Sequence, residues 1–452
     1  MGTATYDLTE GPVTRQLLIF AYPFVLSNLL QIVYNLVDLV VVGHFGGSVS
    51  QSAVSIGGDL LTFLTNMCIG FSNGGQVMIA QAVGKRDQRA VHETAGNMFT
   101  VILAGSLLLS LVTLLGTDWL LAWMNTPAEA LSEARAYSTV CFAGLFFVYG
   151  YNVVSSILRG MGDSKRPLMF IALAAFLNLA LDLLFVAVFH WAAFGAALAT
   201  VIGQAVSFLV SLAYLWKKRT AYGMDLRPAN FLPRRVRLIP MFQLGFPMAL
   251  QMSAISVSML FVKSYVNSYG VVASVVTGVG DKLRNVMSII TRSMGNASAA
   301  MVGQNMGARK MDRIRRVVHV SMAICFASAC VLSAIALLFP RAVFSLFNTE
   351  ETVLDMATTY MPSLAVAFFS FALIAPFNAV MNGTGAAVLC LISSLLDGIV
   401  ARVGLSLLLG SVLGFGIQGF WYGSALAGFV ATFIGGTYYF SGAWQRRRLV
   451  FE

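Results

Sequence analysis

Twelve apolar runs, each about as long as a helix that crosses a bilayer, constrain this chain more than any other feature. A span needs about 20 mostly apolar residues, because a helix satisfies its own backbone hydrogen bonds inside hydrocarbon. Only 11% of the residues are charged, whereas soluble domains average about 25%. The sequence therefore predicts an all-α integral membrane protein with twelve transmembrane helices. The predicted spans are 15–43, 52–80, 95–117, 136–158, 167–188, 193–216, 240–268, 273–303, 318–340, 358–381, 388–411 and 419–441.

The chain consists of two related halves of six spans each. Pro23–Gly46 recurs as Pro247–Gly270, and the loop after span 2 recurs after span 8, at an offset of roughly 223 residues. Since six is even, both halves enter the membrane in the same orientation, which is a parallel repeat of the kind seen in transporters. The predicted domains are two pseudo-symmetric six-helix lobes, 1–216 and 240–452, joined by a polar cytoplasmic linker at 217–239.

Basic residues cluster in the loops that follow even-numbered spans, and acidic residues lie mainly on the other side. The positive-inside rule then predicts that both termini are cytoplasmic, in a multi-pass protein of the inner (cytoplasmic) membrane. The same rule accounts for the net charge of +10 without a nucleic-acid partner. No cleavable signal peptide is expected before span 1. The five cysteines lie in apolar runs and are interpreted as packing residues, with no metal or disulfide system.

Asp38 is a carboxylate inside the apolar stretch Pro23–Gly46. A charged residue at the centre of a transmembrane helix costs roughly 2.5–3.5 kcal/mol by insertion scales, so it usually faces a cavity and has a function. In the second half the corresponding position is Val262. The two halves therefore differ at a residue that can bind a proton or a cation.

Further oxygen-bearing side chains are expected at the depth of Asp38. Asn178 and Asp182 are four residues apart and share a face of span 5, and Thr200 lies in span 6. At about 1.5 Å per residue these positions fall in the outer third of the membrane. Two nearby buried carboxylates cannot both ionise cheaply, which favours a shared proton or a hard cation such as Na⁺. The alternative is a polar network that only holds the helices together.

Four more polar residues of the first half are candidates for a substrate cavity. Gln31 and Asn35 share a face of span 1 with Asp38. Gln204 shares a face of span 6 with Thr200. Asn152 in span 4 either reaches the same cavity or hydrogen-bonds a neighbouring helix. Asp59 in span 2 either joins the carboxylate network or lies at a water-exposed helix end.

The spans of the second half carry more charge than those of the first. Span 8 contains Asp281 and Arg284, which can pair with each other. Arg292 lies deeper in span 8 and is a candidate cavity residue for an anionic group of the substrate. The favoured alternative is that it pairs with Asp397, for which Arg402 is another available partner.

Several segments together resemble the multidrug and toxic compound extrusion (MATE) family of the prokaryotic type, over essentially the whole chain. None of them is specific alone, but their combination with twelve spans in two halves is. The segments are Pro23–Gly46 with Asp38, Gln81–Gly84, Gln304–Gly307, Leu158–Asp163 and Asn178–Asp182.

The resemblance implies a V-shaped pair of six-helix lobes and cation-coupled antiport. Family members typically export organic cations against an inward flow of H⁺ or Na⁺. The family's cation site in the first lobe is matched by Asp38, Asn178, Asp182 and Thr200. The cavity residues beside that site are matched by Gln31, Asn152 and Gln204. In another branch a glutamate of span 7 helps to bind the ion, and Ile255 occupies that position here.

The sequence thus predicts a monomeric antiporter that exports mainly cationic drugs or toxic metabolites, with no cofactor apart from the coupling ion. The partners expected are a small-molecule substrate and the lipid bilayer. The alternative function is a flippase for a lipid-linked or polyisoprenyl-phosphate precursor, with the basic second lobe holding phosphate. An enzyme is not expected, because the four histidines are scattered and form no catalytic constellation.

Overall fold

The computed structural model describes residues 7–225 and 227–451, with the backbone alone for residues 252–257 and 260. Ile255 is among the latter, so the expectation about it lies outside the described side chains. Every regular element in this part of the chain is helical. The α-helices are α1 Val13–Lys85, α2 Gln88–Leu115, α3 Thr117–Trp123, α4 Leu131–Ala143, α5 Leu145–Gly160, α6 Lys165–Asp182, α7 Ala192–Lys217, α8 Pro228–Phe231, α9 Arg235–Asn267, α10 Val271–Gly307, α11 Met311–Leu338, α12 Pro340–Ser345, α13 Glu351–Gly383, α14 Ala387–Leu395, α15 Gly404–Leu407 and α16 Gly416–Phe440. Leu183–Val188, Leu396–Val403 and Leu408–Val412 are π-helical, and Ala443–Arg446 is a 3₁₀-helix.

Eight helical stretches are long and apolar enough to cross a membrane, and α4 with α5, bent by 45°, forms a ninth. The 73 residues of α1 would extend about 110 Å, far beyond one bilayer. Gly47, at φ 82° and ψ 178°, divides α1 into two spans. The helices α9 and α10, of 33 and 37 residues, complete the set. The prediction of an all-α membrane fold with twelve transmembrane helices is confirmed.

The chain folds as two compact units. Unit 1 consists chiefly of Tyr22–Gly245, and unit 2 consists of Leu8–Ala21 and Phe246–Val450. Each unit therefore contains six spans.

The repeat is visible in the backbone of the two units. Arg86 and Arg309 both have positive φ, at 63° and 55°, and are 223 residues apart. His190 and Gly414 also both have positive φ, at 55° and 75°, but are 224 residues apart. The additional residue of unit 2 falls between these pairs, where Leu396–Val403 is π-helical. A π-helical turn has a wider i→i+5 hydrogen-bond pattern and so accommodates one inserted residue.

The connector between the halves packs on α2 within unit 1. Gly96 allows the closest approach, since a Cβ atom there would lie 2.1 Å from the carbonyl oxygen of Asn230. The side-chain oxygen of Asn97 accepts from the Arg234 amide at 2.9 Å, and Thr100 donates to the Phe231 carbonyl at 2.7 Å. These contacts satisfy backbone groups of a segment that has little secondary structure of its own.

Candidate functional site

Four predicted polar residues lie together inside unit 1. Asp38 on α1, Asn178 and Asp182 on α6, and Thr200 on α7 are all buried, with exposed fractions of 7%, 2%, 0% and 6%. The Asn178 amide donates to the Thr200 hydroxyl at 3.4 Å. The two carboxylates are close enough to interact electrostatically. Packing of three helices thus collects residues that are up to 162 positions apart in the chain.

Tyr34 is a site residue that the sequence reasoning missed. Its hydroxyl lies 3.2 Å from the Thr200 hydroxyl and near both carboxylates. Tyr34 is four residues before Asp38 and therefore on the same helix face. That spacing was a usable signal, but a tyrosine in an apolar run resembles ordinary packing. Tyr137 of α4 is also buried near Asp38.

Three of the four carboxylate oxygens of this cluster are buried without hydrogen-bond partners among the described residues. Both oxygens of Asp182 and Oδ1 of Asp38 have none among the residues that the structure describes. An unpaired buried carboxylate is costly, so such a group normally holds a proton or a cation. Asp182 is also the last residue of α6, where the helix becomes π-helical. Irregular turns of this kind are frequent at functional sites.

The chemistry of the donors fits a hard cation or a proton. Carboxylate, amide and hydroxyl oxygens are hard ligands, which suit alkali and alkaline-earth ions better than soft transition metals. Within residues 7–225 and 227–451, no group of three or more His, Cys, Asp or Glu could hold a metal ion. Two buried carboxylates that lie close together can share a proton or hold a hard cation between them.

A small cavity borders the cluster. It measures about 10 Å³, which corresponds to one water-sized particle and is much too small for a drug. Asn178 and Thr200 belong to its lining, and Asp38 and Asp182 do not. The complete lining is Leu30, Gln31, Tyr34, Ile171, Ala174, Ala175, Asn178, Thr200, Gly203 and Gln204.

The other predicted residues of unit 1 are only partly gathered at this cavity. Gln31 is exposed and Gln204 is half-buried, and both belong to the lining. Asn35 is exposed and lies outside the lining. Asn152 is half-buried and donates to the carbonyl of Val148, one turn back in its own helix, at 2.8 Å.

Arg292, the predicted cavity residue of unit 2, is exposed, and its Nε donates to the hydroxyl of Ser288 at 2.8 Å. The favoured pairing of Arg292 with Asp397 is wrong, because Asp397 accepts from Arg402 at 3.1 Å. Both partners of that pair lie in the π-helical turn Leu396–Val403, whose period brings residues five apart onto one face. An ordinary α-helical wheel does not predict this contact.

Comparison with known proteins gives consistent matches. A family model described as MatE matches residues 23–184 and 247–408, one segment in each half. The probable multidrug resistance protein YpnP of Bacillus subtilis is 28% identical over 452 residues, which is 99% of each chain. The probable multidrug resistance protein NorM of Thermotoga maritima is 23% identical over 446 residues, which is 97% of this chain and 94% of that protein.

Two solved structures share the fold over nearly the whole chain. One is a MOP superfamily transporter from Pyrococcus furiosus, with a TM-score of 0.89 and 24% identity, covering 98% of this chain and 99% of that one. The other is a multidrug resistance MATE family transporter in an outward-facing conformation, with a TM-score of 0.90 and 23% identity, covering 99% and 100%.

Proposed function

Because the chain belongs to the MatE family of membrane transporters, we propose that it is a cation-coupled antiporter. It exports organic, mainly cationic, drugs or toxic metabolites against an inward flow of H⁺ or Na⁺. Relatives named as multidrug resistance and multidrug export proteins support the substrate class. The protein is a monomer of the cell membrane in this proposal.

The observation that carries the proposal is the pair of buried carboxylates in unit 1. Asp182 has no exposed surface and both of its oxygens lack partners among the described residues, and Asp38 interacts with it. An unsatisfied buried polar group costs about 1–3 kcal/mol, and a charged one costs more. A cation or a proton that enters the pair recovers this free energy. If this binding occurs in only one of two conformations, it shifts their equilibrium by about 5- to 150-fold.

The coupling step acts through the helices that carry the site. A proton or Na⁺ bound by Asp38, Asn178, Asp182 and Thr200 bends or shifts the first span and lowers the affinity for the exported compound. Gln31, Asn35, Asn152, Gln204 and Arg292 are proposed to contact that compound. The two lobes, 1–216 and 240–452, then alternate access by rigid-body motion about the cytoplasmic linker 217–239. Both termini are cytoplasmic in this arrangement, because basic residues dominate the loops on their side.

The alternative of a flippase for a lipid-linked phosphate has less support. It requires basic side chains in unit 2 that are free to bind phosphate. Arg402 is already paired with Asp397, and Arg284 is paired with Asp281. Asp281 also lies 3.7 Å from Lys263, so three basic side chains of these spans are already held by carboxylates. Arg292 is then the basic residue in a span best suited to an anion.

Transport by purified protein in proteoliposomes tests the proposal. Efflux of a cationic dye is measured under an imposed pH gradient, and separately under a Na⁺ gradient. Asp38→Asn and Asp182→Asn should each abolish gradient-driven efflux with at least one of the two ions. Asp59→Asn, which changes an exposed carboxylate of the same half, is the matched control and should transport normally.

Two results would contradict the proposal. One is wild-type efflux rates in the Asp38→Asn and Asp182→Asn variants under both gradients. The other is preferential transport of anionic dyes or lipid-linked phosphates over cationic dyes, which would favour the flippase.

A further inference from the structure

The register of the repeat identifies the counterpart of the unit 1 site in unit 2. The hydrogen bond from the Phe189 amide to the Leu184 carbonyl recurs 224 residues later, from Leu413 to Leu408. The bond from Trp191 to Phe185 recurs at the same offset, and the two family-model matches, 23–184 and 247–408, also differ by 224. In this register Asn178, Asp182 and Thr200 correspond to Arg402, Ser406 and Ser424.

In unit 2, Arg402 makes the contact that corresponds to the hydrogen bond from Asn178 to Thr200 in unit 1. Where Asn178 donates to Thr200, Nη1 of Arg402 donates to the Ser424 hydroxyl at 3.3 Å and to its carbonyl at 3.1 Å. Nη2 of the same guanidinium donates to the two carboxylate oxygens of Asp397 at 3.1 and 3.3 Å. The guanidinium therefore lies beside the hydroxyl that is equivalent to Thr200.

The two carboxylates of unit 1 have neutral counterparts in unit 2. Asp38 corresponds to Val262, which is equally buried at 7% exposure. Asp182 corresponds to Ser406, whose hydroxyl donates to the Phe420 carbonyl at 3.2 Å. Unit 2 thus lacks the pair of acidic side chains that makes unit 1 a candidate cation site.

The acidic group of unit 2 comes instead from the π-helical turn that accommodates the inserted residue. Asp397 lies in the π-helical segment Leu396–Val403, five residues before Arg402 and on the same face. Both side chains are almost fully buried, with exposed fractions of 5% and 3%. One positive and one negative charge therefore neutralise each other inside unit 2. Unit 1 has two acidic side chains, Asp38 and Asp182, at its corresponding site.

We propose that the guanidinium of Arg402 serves in unit 2 as a fixed replacement for the mobile cation that unit 1 takes from solution. An arginine stays protonated under all physiological conditions and is covalently attached, so it cannot be released. Unit 2 is then permanently in the cation-loaded state, and Arg402 is the residue that confines coupling to unit 1. The comparison rests on the proposed function of the unit 1 site, but the state of unit 2 is testable without transport.

The test removes the fixed cation in a protein whose unit 1 site is already silenced. Full-length Asp38→Asn/Asp182→Asn protein in detergent is the parent, and its melting temperature should not depend on Na⁺. Arg402→Asn in this parent leaves Asp397 without its counter-ion, beside an amide and hydroxyls like those of unit 1. Its melting temperature should rise by about 1–2 °C for each tenfold increase in Na⁺ above the dissociation constant, because a chain of 452 residues has a large entropy of unfolding. NaCl is exchanged for choline chloride at constant ionic strength, and the series is repeated at low pH, where protons replace Na⁺.

Two control variants separate charge from shape. Arg402→Asn/Asp397→Asn has no carboxylate to compensate and should be as insensitive to Na⁺ as the parent. Arg402→Lys keeps the positive charge and should also be insensitive. The proposal is overturned if Arg402→Asn responds to neither Na⁺ nor pH, or if Arg402→Lys acquires the same response.

Failure to fold is also informative. If Arg402→Asn is not recovered but the neutral double variant is, the uncompensated carboxylate caused the loss, as the proposal requires. If neither is recovered, the arginine is needed for packing and the proposal is wrong. Failure of the antiport proposal would appear differently, as normal gradient-driven efflux by Asp38→Asn and Asp182→Asn, and would leave this melting measurement unaffected.

Discussion

Glu93 is the residue whose charge should contribute most to the packing of the 217–239 linker on α2. Its side chain is only 6% exposed, and its carboxylate accepts from Arg234, from Arg237 at 3.1 Å and from Arg89 at 2.8 Å. These guanidiniums differ in burial, with exposed side-chain fractions of 37% for Arg234, 10% for Arg237 and 77% for Arg89. The pair with Arg237 is therefore the one whose loss leaves a charge buried without its partner.

Glu93→Gln removes the negative charge and keeps the size of the side chain. Removing one partner of a buried ion pair costs about 3–5 kcal/mol, and the lower end applies here because the linker can open to water. A loss of about 3 kcal/mol raises the population of the locally open state by roughly 100-fold, since each 1.4 kcal/mol is a factor of ten. The reporter is the Arg234 amide, which donates to Asn97 at 2.9 Å in the closed state.

Hydrogen exchange with mass spectrometry measures this opening directly. Peptides that cover 227–240 should lose about two orders of magnitude of protection in Glu93→Gln. Arg89→Gln is the control, because it removes the exposed partner and should leave protection unchanged. A loss of less than threefold in Glu93→Gln, or an equal loss in both variants, would refute the assignment of the linker contact to the buried pair.

Three other predictions concern single positions in the spans. Gly47→Ala should destabilise the protein by about 1–3 kcal/mol, because φ 82° with ψ 178° is accessible to glycine alone; Gly105→Ala, where a Cβ meets nothing within 4 Å, should not lower the melting temperature. Tyr34→Phe removes the hydroxyl 3.2 Å from Thr200 and should raise the half-saturating cation concentration for transport about three- to tenfold; an unchanged value would show that this hydroxyl is not part of the site. Cys330 is the one exposed cysteine among those described and lies within a span, so a charged maleimide should leave it unlabelled in intact membranes and label it after the protein is unfolded in detergent.

Much of the fold could be predicted from the sequence because hydrocarbon imposes a simple local requirement. A long apolar run must be a helix to satisfy its backbone, so the predicted span 167–188 corresponds closely to Lys165–Asp182 with Leu183–Val188. Helical periodicity is also local, and the four-residue spacing of Asn178 and Asp182 is enough to place them on one face. The division into two similar halves followed from repeated segments alone.

Contacts between spans could not be derived in the same way. A helix wheel shows which residues share a face, but not which face of another helix it meets, and Tyr34 and Asn35 are neighbours with different outcomes. Tyr34 contacts Thr200, whereas Asn35 is exposed. Which of the two side chains reaches Thr200 depends on how α1 packs against α7, and these helices are distant in sequence.

The sequence by itself therefore determined the membrane fold, its repeat and the presence of a carboxylate in one half and not in the other. Only the tertiary structure decided that Tyr34 reaches Thr200 and that Arg402, not Arg292, pairs with Asp397. The physical reason is that one inserted residue turns every following side chain of an α-helix by about 100°. A π-helical turn absorbs that rotation, and its position is set by packing against neighbouring helices.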